Sequence, residues 1–202
     1  IQRPGTEAKG VGQPLPGLTI RIINPETEEL LDDDQMGEVC IRGPSVFEGY
    51  IGPGKDNTFI EIDGERYYRN SDIGHIDEMG SLILSGRLKR FVKIGGEMIS
   101  LASVEHELIC RSLERHLDIN PNEAAFVLSA IEKDEAKPRL ALMTTCRMDR
   151  DFANEMLKDS GFGRIVKIAQ VEVVERIPTM GTGKIDYRAI NARFEKQMAA
   201  KK

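Results

Sequence analysis

Residues 85–100 read SGRLKRFVKIGGEMIS, and this stretch decides how the rest of the chain divides. Apolar residues alternate with polar ones on both sides of Gly95-Gly96, which predicts two short strands that meet at a tight turn. Glycine reaches positive φ at little steric cost and lets a ligand approach the backbone closely. A small residue beside charged residues suits a hinge, so the stretch from Gly86 to Lys89 predicts a boundary between two domains.

Upstream of this pivot, residues 1–86 have the pattern of a small sheet or barrel. Gly and Pro recur about every 8–12 residues, and short apolar runs lie between them. Residues 52–66 are polar and rich in Gly and Asp, which predicts an exposed loop. Residues 2–6 also read as a loop, and a start at Ile1 without Met leads us to expect a fragment of a longer protein. The strands are expected at residues 18–23 and 37–44, with an antiparallel pair formed by residues 67–77 and 82–84 across residues 78–81.

Downstream of the pivot, residues 90–202 mix helices with strands. Ser103 precedes apolar residues at helical spacing and is the expected N-cap of a helix that carries His106. The order β-β-α-β-β-α-β-α predicts a compact α+β domain with its own core. The later elements are expected as strands at 124–131 and 139–145 around a charged hairpin turn at 132–135, a helix at 151–158, a strand at 165–177 and a helix at 186–199.

The composition limits the classes of function. The 28 Lys and Arg against 33 Asp and Glu give 28 − 33 = −5, which argues against non-specific binding of nucleic acid. No apolar window is long enough for a transmembrane helix, and no signal peptide opens the chain. The three cysteines lack CxxC spacing, so we expect buried thiols in a reducing compartment and a cytoplasmic protein: Cys40, Cys110 and Cys146.

No metal site is expected from the sequence. The three histidines do not stand at the spacing of metal ligands, and nothing specifies partners for a catalytic triad. They are expected to be ordinary exposed or hydrogen-bonded side chains: His75, His106 and His116.

Two motifs carry chemistry of their own. Asp72 lies in YRNSDIG, residues 68–74, where a carboxylate at a strand end can accept both hydroxyls of a ribose. The segment PTMGTGKID, residues 178–186, is not a Walker A loop, because that loop needs GxxxxGK followed by Ser or Thr. Pro178 stands in place of the first Gly, and Ile185 follows the lysine. Lys184 is therefore expected to be a loop cation and not the phosphate-binding lysine of a Walker A loop.

Four segments in a fixed order resemble the adenylate-forming, or AMP-binding, enzymes, which include acyl-CoA synthetases, firefly luciferase and peptide-synthetase adenylation domains. Within them, Lys89 to Leu101 is most similar to the acyl–acyl-carrier-protein synthetase and 2-acylglycerophosphoethanolamine acyltransferase branch. This chain departs from the usual pattern with Asn70-Ser71 in place of Thr-Gly, and with Arg90 in place of Asp. The segments are GEVCIRGPSVFEGY at 37–50, then 68–74, 85–100 and 178–186.

The resemblance implies an α+β fold in two parts. Residues 1–86 would be the last β-rich subdomain of a truncated large N-terminal domain, and residues 87–202 the whole mobile C-terminal domain. It also implies a role for each matching residue. These roles are nucleotide binding for Asp72 and Arg87, the hinge for Lys89, catalysis of adenylation for Lys184, and the thioester-forming face for Gly95, Gly96 and Glu97.

The resemblance further implies the reaction of a parent enzyme. That enzyme would condense a carboxylic acid with ATP and Mg²⁺ to an acyl adenylate and pyrophosphate, then rotate the small domain and pass the acyl group to a pantetheine thiol. A fatty acid is the expected acid, and acyl-carrier protein the expected acceptor, with CoA second. A coupling to lysophospholipid acylation is also implied, with the parent at the inner membrane through parts absent from this chain.

The phosphate loop and the acyl pocket of the family are expected upstream of Ile1. We therefore expect the 202-residue chain alone to make no acyl adenylate and to bind ATP weakly. Two alternatives stay open at this point. One is an amino-acid-activating domain of a peptide synthetase, and the other is a non-catalytic module that docks a carrier protein.

Overall fold

The computed structural model describes residues 10–51, 58–120, 123–131, 138–158 and 160–200. The chain divides into two compact units, Ile1–Arg90 and Phe91–Lys202. This division lies one residue beyond the segment from Gly86 to Lys89 that the sequence marks as a pivot. The identity of the units as a large-domain subdomain and a mobile C-terminal domain stays a prediction.

The first unit is a five-stranded antiparallel sheet. Four strands follow the hydrogen-bonded order β1-β2-β4-β3, and the fifth strand, β5, also pairs with β4. The predicted strands and the antiparallel pair around residues 78–81 are confirmed. The strands are β1 Thr19–Ile23, β2 Gly37–Arg42, β3 Phe59–Ile62, β4 Glu65–Ile76 and β5 Leu82–Arg87.

Both faces of this sheet bury apolar side chains, because successive residues of a strand point to opposite faces. Ile23 and Cys40 lie in one cluster with Tyr67, while their chain neighbours Ile22 and Val39 lie in another. Burial on both faces explains why apolar residues stand side by side in these strands, as at Ile22-Ile23 in β1 and Val39-Cys40 in β2.

The prediction of a loop over residues 52–66 is wrong for its second half. Residues 52–57 lie outside the described residues, as do residues 2–6, but Phe59–Ile62 forms β3 and pairs with the start of β4. Asp63 and Gly64 make the turn with φ angles of 54° and 77°. An Asp-Gly turn with two positive φ angles matches the twist of a two-residue hairpin, so this polar stretch folds back as paired strands.

The second unit has the predicted order β-β-α-β-β-α-β-α. The hairpin of β6 and β7 precedes a three-stranded sheet of order β10-β9-β8, in which β8 and β9 are antiparallel and β9 and β10 parallel. The predicted charged turn at 132–135 lies outside the described residues. The elements are β6 Phe91–Ile94, β7 Glu97–Ser100, α1 Leu101–Glu114, β8 Phe126–Ile131, β9 Arg139–Thr144, α2 Arg150–Lys158, β10 Ile168–Val173 and α3 Tyr187–Ala200.

Helices cover both faces of this sheet. Leu108 of α1 and Leu157 of α2 lie in one buried cluster with Leu128 of β8. Ile190 and Phe194 of α3 lie in a second cluster with neighbouring residues of β8 and β9. The unit therefore has a layered core of its own. In the part of the chain that the structure describes, no helix is both long and apolar enough to span a membrane.

The prediction of Ser103 as the N-cap of α1 is wrong. The helix begins at Leu101, and Ser100 is the cap, with extended φ and ψ of −74° and 116°. Its hydroxyl oxygen accepts a hydrogen bond from the backbone N–H of Ser103 at 3.2 Å. The earlier start puts Leu101 in the core, whereas Leu113 at the other end is 54% exposed.

Candidate functional site

The site in the first unit lies where β4 departs from regular pairing. The ladder with β2 pairs Cys40 with Arg69 and then Glu38 with Ile73. Three residues of β4, Asn70–Asp72, therefore lie opposite a single residue of β2. Such a bulge increases the local twist and changes the direction of the side chains that it carries.

The backbone of the bulge has an uncommon conformation. Ser71 has a φ of 60°, in the left-handed region that L-residues rarely adopt. The side-chain oxygen Oδ1 of Asn70 accepts a hydrogen bond from the backbone N–H of Asp72 at 2.8 Å. This is an Asx turn, in which the Asn side chain replaces a backbone partner.

The structure brings together Asp72 and Arg87, the two residues predicted to bind a nucleotide. They lie opposite each other on β4 and β5, and Arg87 Nε lies 2.9 Å from Asp72 Oδ1. Arg87 also donates from Nη1 to the backbone carbonyl of Asn70 at 3.2 Å. The Asp72 side chain is 17% exposed and that of Arg87 is 67% exposed. The pair therefore presents a guanidinium to solvent above a largely covered carboxylate.

Burial and charge act on Asp72 in opposite directions. Burial raises the pKa of its carboxyl above the ordinary value, and the positive charge of Arg87 lowers that pKa by a smaller amount. A neutral hydroxyl that donates to this carboxylate would replace lost hydration without adding charge.

Aromatic side chains lie beside this ion pair. This group of aromatic residues was not predicted from the sequence. The ring centroids of Phe47 and Tyr68 are 5.0 Å apart, and those of Phe47 and Tyr50 are 4.9 Å apart. A hydrogen bond with Tyr50 raises the pKa of the Tyr68 hydroxyl, and the charges of Arg87 and Asp72 also act on it. The signal in the sequence was the recurrence of aromatics at 47, 50, 59 and 68.

Arg69 was also missed, and its role is structural. Its Nη2 and Nη1 lie 2.6 Å from a carboxylate oxygen of Glu38 and 2.5 Å from one of Glu28. Glu38 is almost fully buried, so this pairing satisfies its charge. Burial, followed by the charge of Glu38, raises the pKa of the Cys40 thiol to about 12. Cys40 is therefore a neutral core residue.

In the second unit, Lys184 lies on a small hairpin of its own. Thr179 and Ile185 form an antiparallel bridge, and the N–H of Met180 donates to the carbonyl of Lys184 at 2.7 Å. The N–H of Gly183 donates to the carbonyl of Met180 at 2.8 Å, and Gly183 has a φ of 80°. The turn is held by its own backbone, and Lys184 is exposed at its end.

The predicted thioester-forming face is the turn between β6 and β7. Gly95 and Gly96 have φ angles of 61° and 91°, and no atom beyond the adjacent residues lies within 4 Å of the position that a Cβ would take on either. Within the chain itself, both glycines are required by the φ angles of the turn and not by a close neighbour. Glu97 follows them at the surface. Lys89, the predicted hinge residue, is exposed in a short 3-10 turn at Leu88–Arg90.

The histidines do not gather with other ligands. Across the described ranges, no group of three or more His, Cys, Asp or Glu side chains could hold a metal ion. His106 contacts Cys110 of the same helix at 3.6 Å.

Comparisons with known proteins agree on one family. A family model described as AMP-binding enzyme matches residues 2–51. Delta-poly-L-ornithine synthetase of Acinetobacter baumannii is 32% identical over 197 residues, which cover 91% of this chain and 14% of that protein. Phenylacetyl-CoA ligase epaB of Aspergillus niger is 29% identical over 205 residues, covering 98% of this chain and 36% of that protein. The chain thus spans a minor part of both relatives.

The fold is also that of solved structures. ATP-bound MatB from Rhodopseudomonas palustris aligns with a TM-score of 0.70 and 23% identity, covering 92% of this chain and 35% of that chain. At this identity the likeness concerns the fold, and it agrees with the expected α+β class.

Proposed function

Because this chain belongs to the AMP-binding enzyme superfamily, we propose that it is the C-terminal part of a longer ATP-dependent ligase that forms acid–thiol bonds through an acyl adenylate. The coverage of the relatives supports this, since the chain spans 14% and 36% of the two described above. Relatives named as acyl-CoA ligases support the same reaction class.

The observation that carries the proposal is the Asp72–Arg87 pair at the bulge of β4. In the proposed complex, the Asp72 carboxylate accepts hydrogen bonds from the ribose hydroxyls of ATP, each worth about 1.5–3 kcal/mol. The exposed Arg87 guanidinium reaches the ribose or the oxygens of the α-phosphate, for which its planar set of donors is suited.

Lys184 is proposed as the catalytic cation of the first step. Attack of the acid's carboxylate on the α-phosphorus forms the acyl–phosphate bond and expels pyrophosphate, and negative charge grows on the transferred group. An ammonium group at this position stabilises that charge in the transition state. The exposed hairpin at residues 178–186 supports this role, because a buried lysine could not be presented to a ligand. Mg²⁺ is proposed to be held by the ATP phosphates.

The second step is proposed to use the turn at Gly95-Gly96-Glu97. After a rotation about Lys89, this turn replaces Lys184 beside the adenylate. The thiolate of CoA or phosphopantetheine attacks the acyl carbon, the thioester forms, and AMP leaves. The exposed glycines support this, because their backbone leaves room for a narrow pantetheine arm.

For the substrates, we propose a fatty acid and a carrier-protein thiol, with CoA as the second acceptor. The similarity of Lys89 to Leu101 to the acyl-carrier-protein synthetase branch supports this choice, and extends it to lysophospholipid acylation by a cytoplasmic or inner-membrane parent. Amino-acid activation is the second candidate, because one relative at 32% identity is named a poly-L-ornithine synthetase.

Exchange of labelled pyrophosphate into ATP tests the proposal. The full-length protein that contains this chain should catalyse exchange that depends on added fatty acid, with ornithine and other amino acids as the comparison set. The 202-residue chain alone should give none. Exchange that is absent with every carboxylic acid would contradict the ligase assignment and favour a docking module, and robust exchange by the 202-residue chain would contradict the assignment as a fragment.

A further inference from the structure

We propose that Asn70 is a positioning residue that fixes the Asp72 carboxylate and the Arg87 guanidinium in one geometry, an inference that rests on the ribose-binding role proposed above. Asn70 touches neither ribose nor phosphate in this proposal. It acts through the backbone of the bulge, where it replaces the Thr of the family pattern.

Asn70 is bonded to both members of the pair. Its side-chain oxygen accepts the backbone N–H of Asp72 at 2.8 Å, and its backbone carbonyl accepts Nη1 of Arg87 at 3.2 Å. The ion pair between Nε of Arg87 and Oδ1 of Asp72 at 2.9 Å closes the set. Three contacts thus link three residues on two strands, so a shift of Asn70 would change the direction of both charged groups.

The bulge also needs this support. Asp72 has no partner on β2, because the ladder passes from the pair Cys40–Arg69 directly to Glu38–Ile73. The Asn70 side chain supplies an acceptor for the Asp72 N–H where the ladder with β2 gives none. Without the Asn70 side chain, the partly buried backbone N–H of Asp72 would lose this hydrogen-bond acceptor.

Ser71 makes the requirement stronger. Its φ of 60° is disfavoured for a residue with a Cβ, which crowds the following carbonyl there. If the Asn70 bond were lost, Ser71 would relax toward the extended region. Successive side chains of an extended strand point to opposite faces of the sheet. An extended Ser71 would therefore turn the Asp72 side chain to the other face, away from Arg87. The Asx turn therefore holds Ser71 in the conformation that aims Asp72.

The test compares ATP with 2′-deoxy-ATP in the full-length protein, using acid-dependent pyrophosphate exchange. The measured quantity is the ratio of kcat/KM for the two nucleotides, because general damage to the fold lowers both values together. Asn70→Leu removes the acceptor at similar size and should lower the ratio about tenfold, as expected for one weakened charge-assisted hydrogen bond. Asn70→Asp keeps the acceptor and should hold the ratio within about threefold of wild type.

Three further variants make the result interpretable. Asn24 makes a similar turn elsewhere in the first unit, where its Oδ1 accepts the N–H of Glu26 at 2.8 Å, so Asn24→Leu is the matched control and should leave the ratio unchanged. Asp72→Ala should abolish the preference for ATP. If Asn70→Leu is insoluble, Asn70→Ser makes the same comparison with a shorter hydroxyl, and should lower the ratio less.

The outcomes separate the two proposals. If Asp72→Ala keeps the wild-type ratio, ribose binding by Asp72 is wrong and the proposed function loses its main support. If Asp72→Ala abolishes the preference while Asn70→Leu, or Asn70→Ser in its place, keeps the wild-type ratio, the ribose site stands and the role of Asn70 is overturned.

Discussion

Asp72 lies in a position where burial and a neighbouring charge act on one carboxyl in opposite directions. Burial has the larger effect, so the pKa of Asp72 is raised in spite of Arg87. A carboxyl whose pKa is raised by burial beside a specific charge partner is a candidate for function. The sequence located both residues. It could not locate the contribution of Asn70, because that depends on the φ of Ser71.

Replacing Asp72 by Asn should stabilise the fold at neutral pH. Because the folded pKa lies above the unfolded one, the stability linked to this group is fully present below the unfolded pKa and is lost as pH rises through the folded pKa. At pH 7 the buried negative charge therefore disfavours folding. Asp72→Asn should raise the midpoint of thermal unfolding by about 1–3 °C at pH 7, and by less at pH 3–4. Glu61→Gln, which removes an exposed carboxyl from β3, is the control.

Thermal unfolding followed by circular dichroism measures this effect in the 202-residue chain. A lower midpoint for Asp72→Asn at pH 7 would show that the ion pair with Arg87 outweighs the cost of burial.

At the scale of secondary structure, the start of α1 shows what a sequence pattern leaves open. Ser100 and Ser103 both precede apolar residues at helical spacing, and either could cap a helix. Packing decides between them, because Leu101 must lie in the core. Asp63-Gly64 is the usual sequence of a tight hairpin turn, but it lies in a stretch rich in polar residues, and that composition predicted a loop instead. The parallel pairing of β10 with β9 could not be read from either strand alone.

The cap assignment predicts unequal effects of two similar substitutions. Ser100→Ala removes the side chain that accepts the Ser103 N–H and should lower the free energy of unfolding by about 1 kcal/mol. Ser103→Ala is the matched control, and since Ser103 is exposed inside the first turn it should change the value by less than about 0.5 kcal/mol. Urea titration of both variants makes the comparison, and equal losses would contradict the cap at Ser100.

At the scale of the whole molecule, each unit has a hydrophobic core of its own. Separate cores meet the requirement of the proposed rotation, in which one unit moves as a body about a few residues. The order of motifs and elements was readable from the sequence, because each element has its own period and its own turn residues. The acid could not be identified in this way, because no motif of the chain corresponds to an acyl pocket.

The most direct measurement of the central claim separates the two half-reactions in the full-length protein. Lys184→Ala should slow acid-dependent pyrophosphate exchange by about 10²–10³, while thioester formation from supplied acyl adenylate stays within a few-fold of wild type. Gly96→Val, which strains a residue at a φ of 91°, should show the reverse pattern. Lys167→Ala, at an exposed lysine of the same unit, controls for loss of charge. Equal losses in both half-reactions for Lys184→Ala would contradict a cation that serves the first step and then leaves the site.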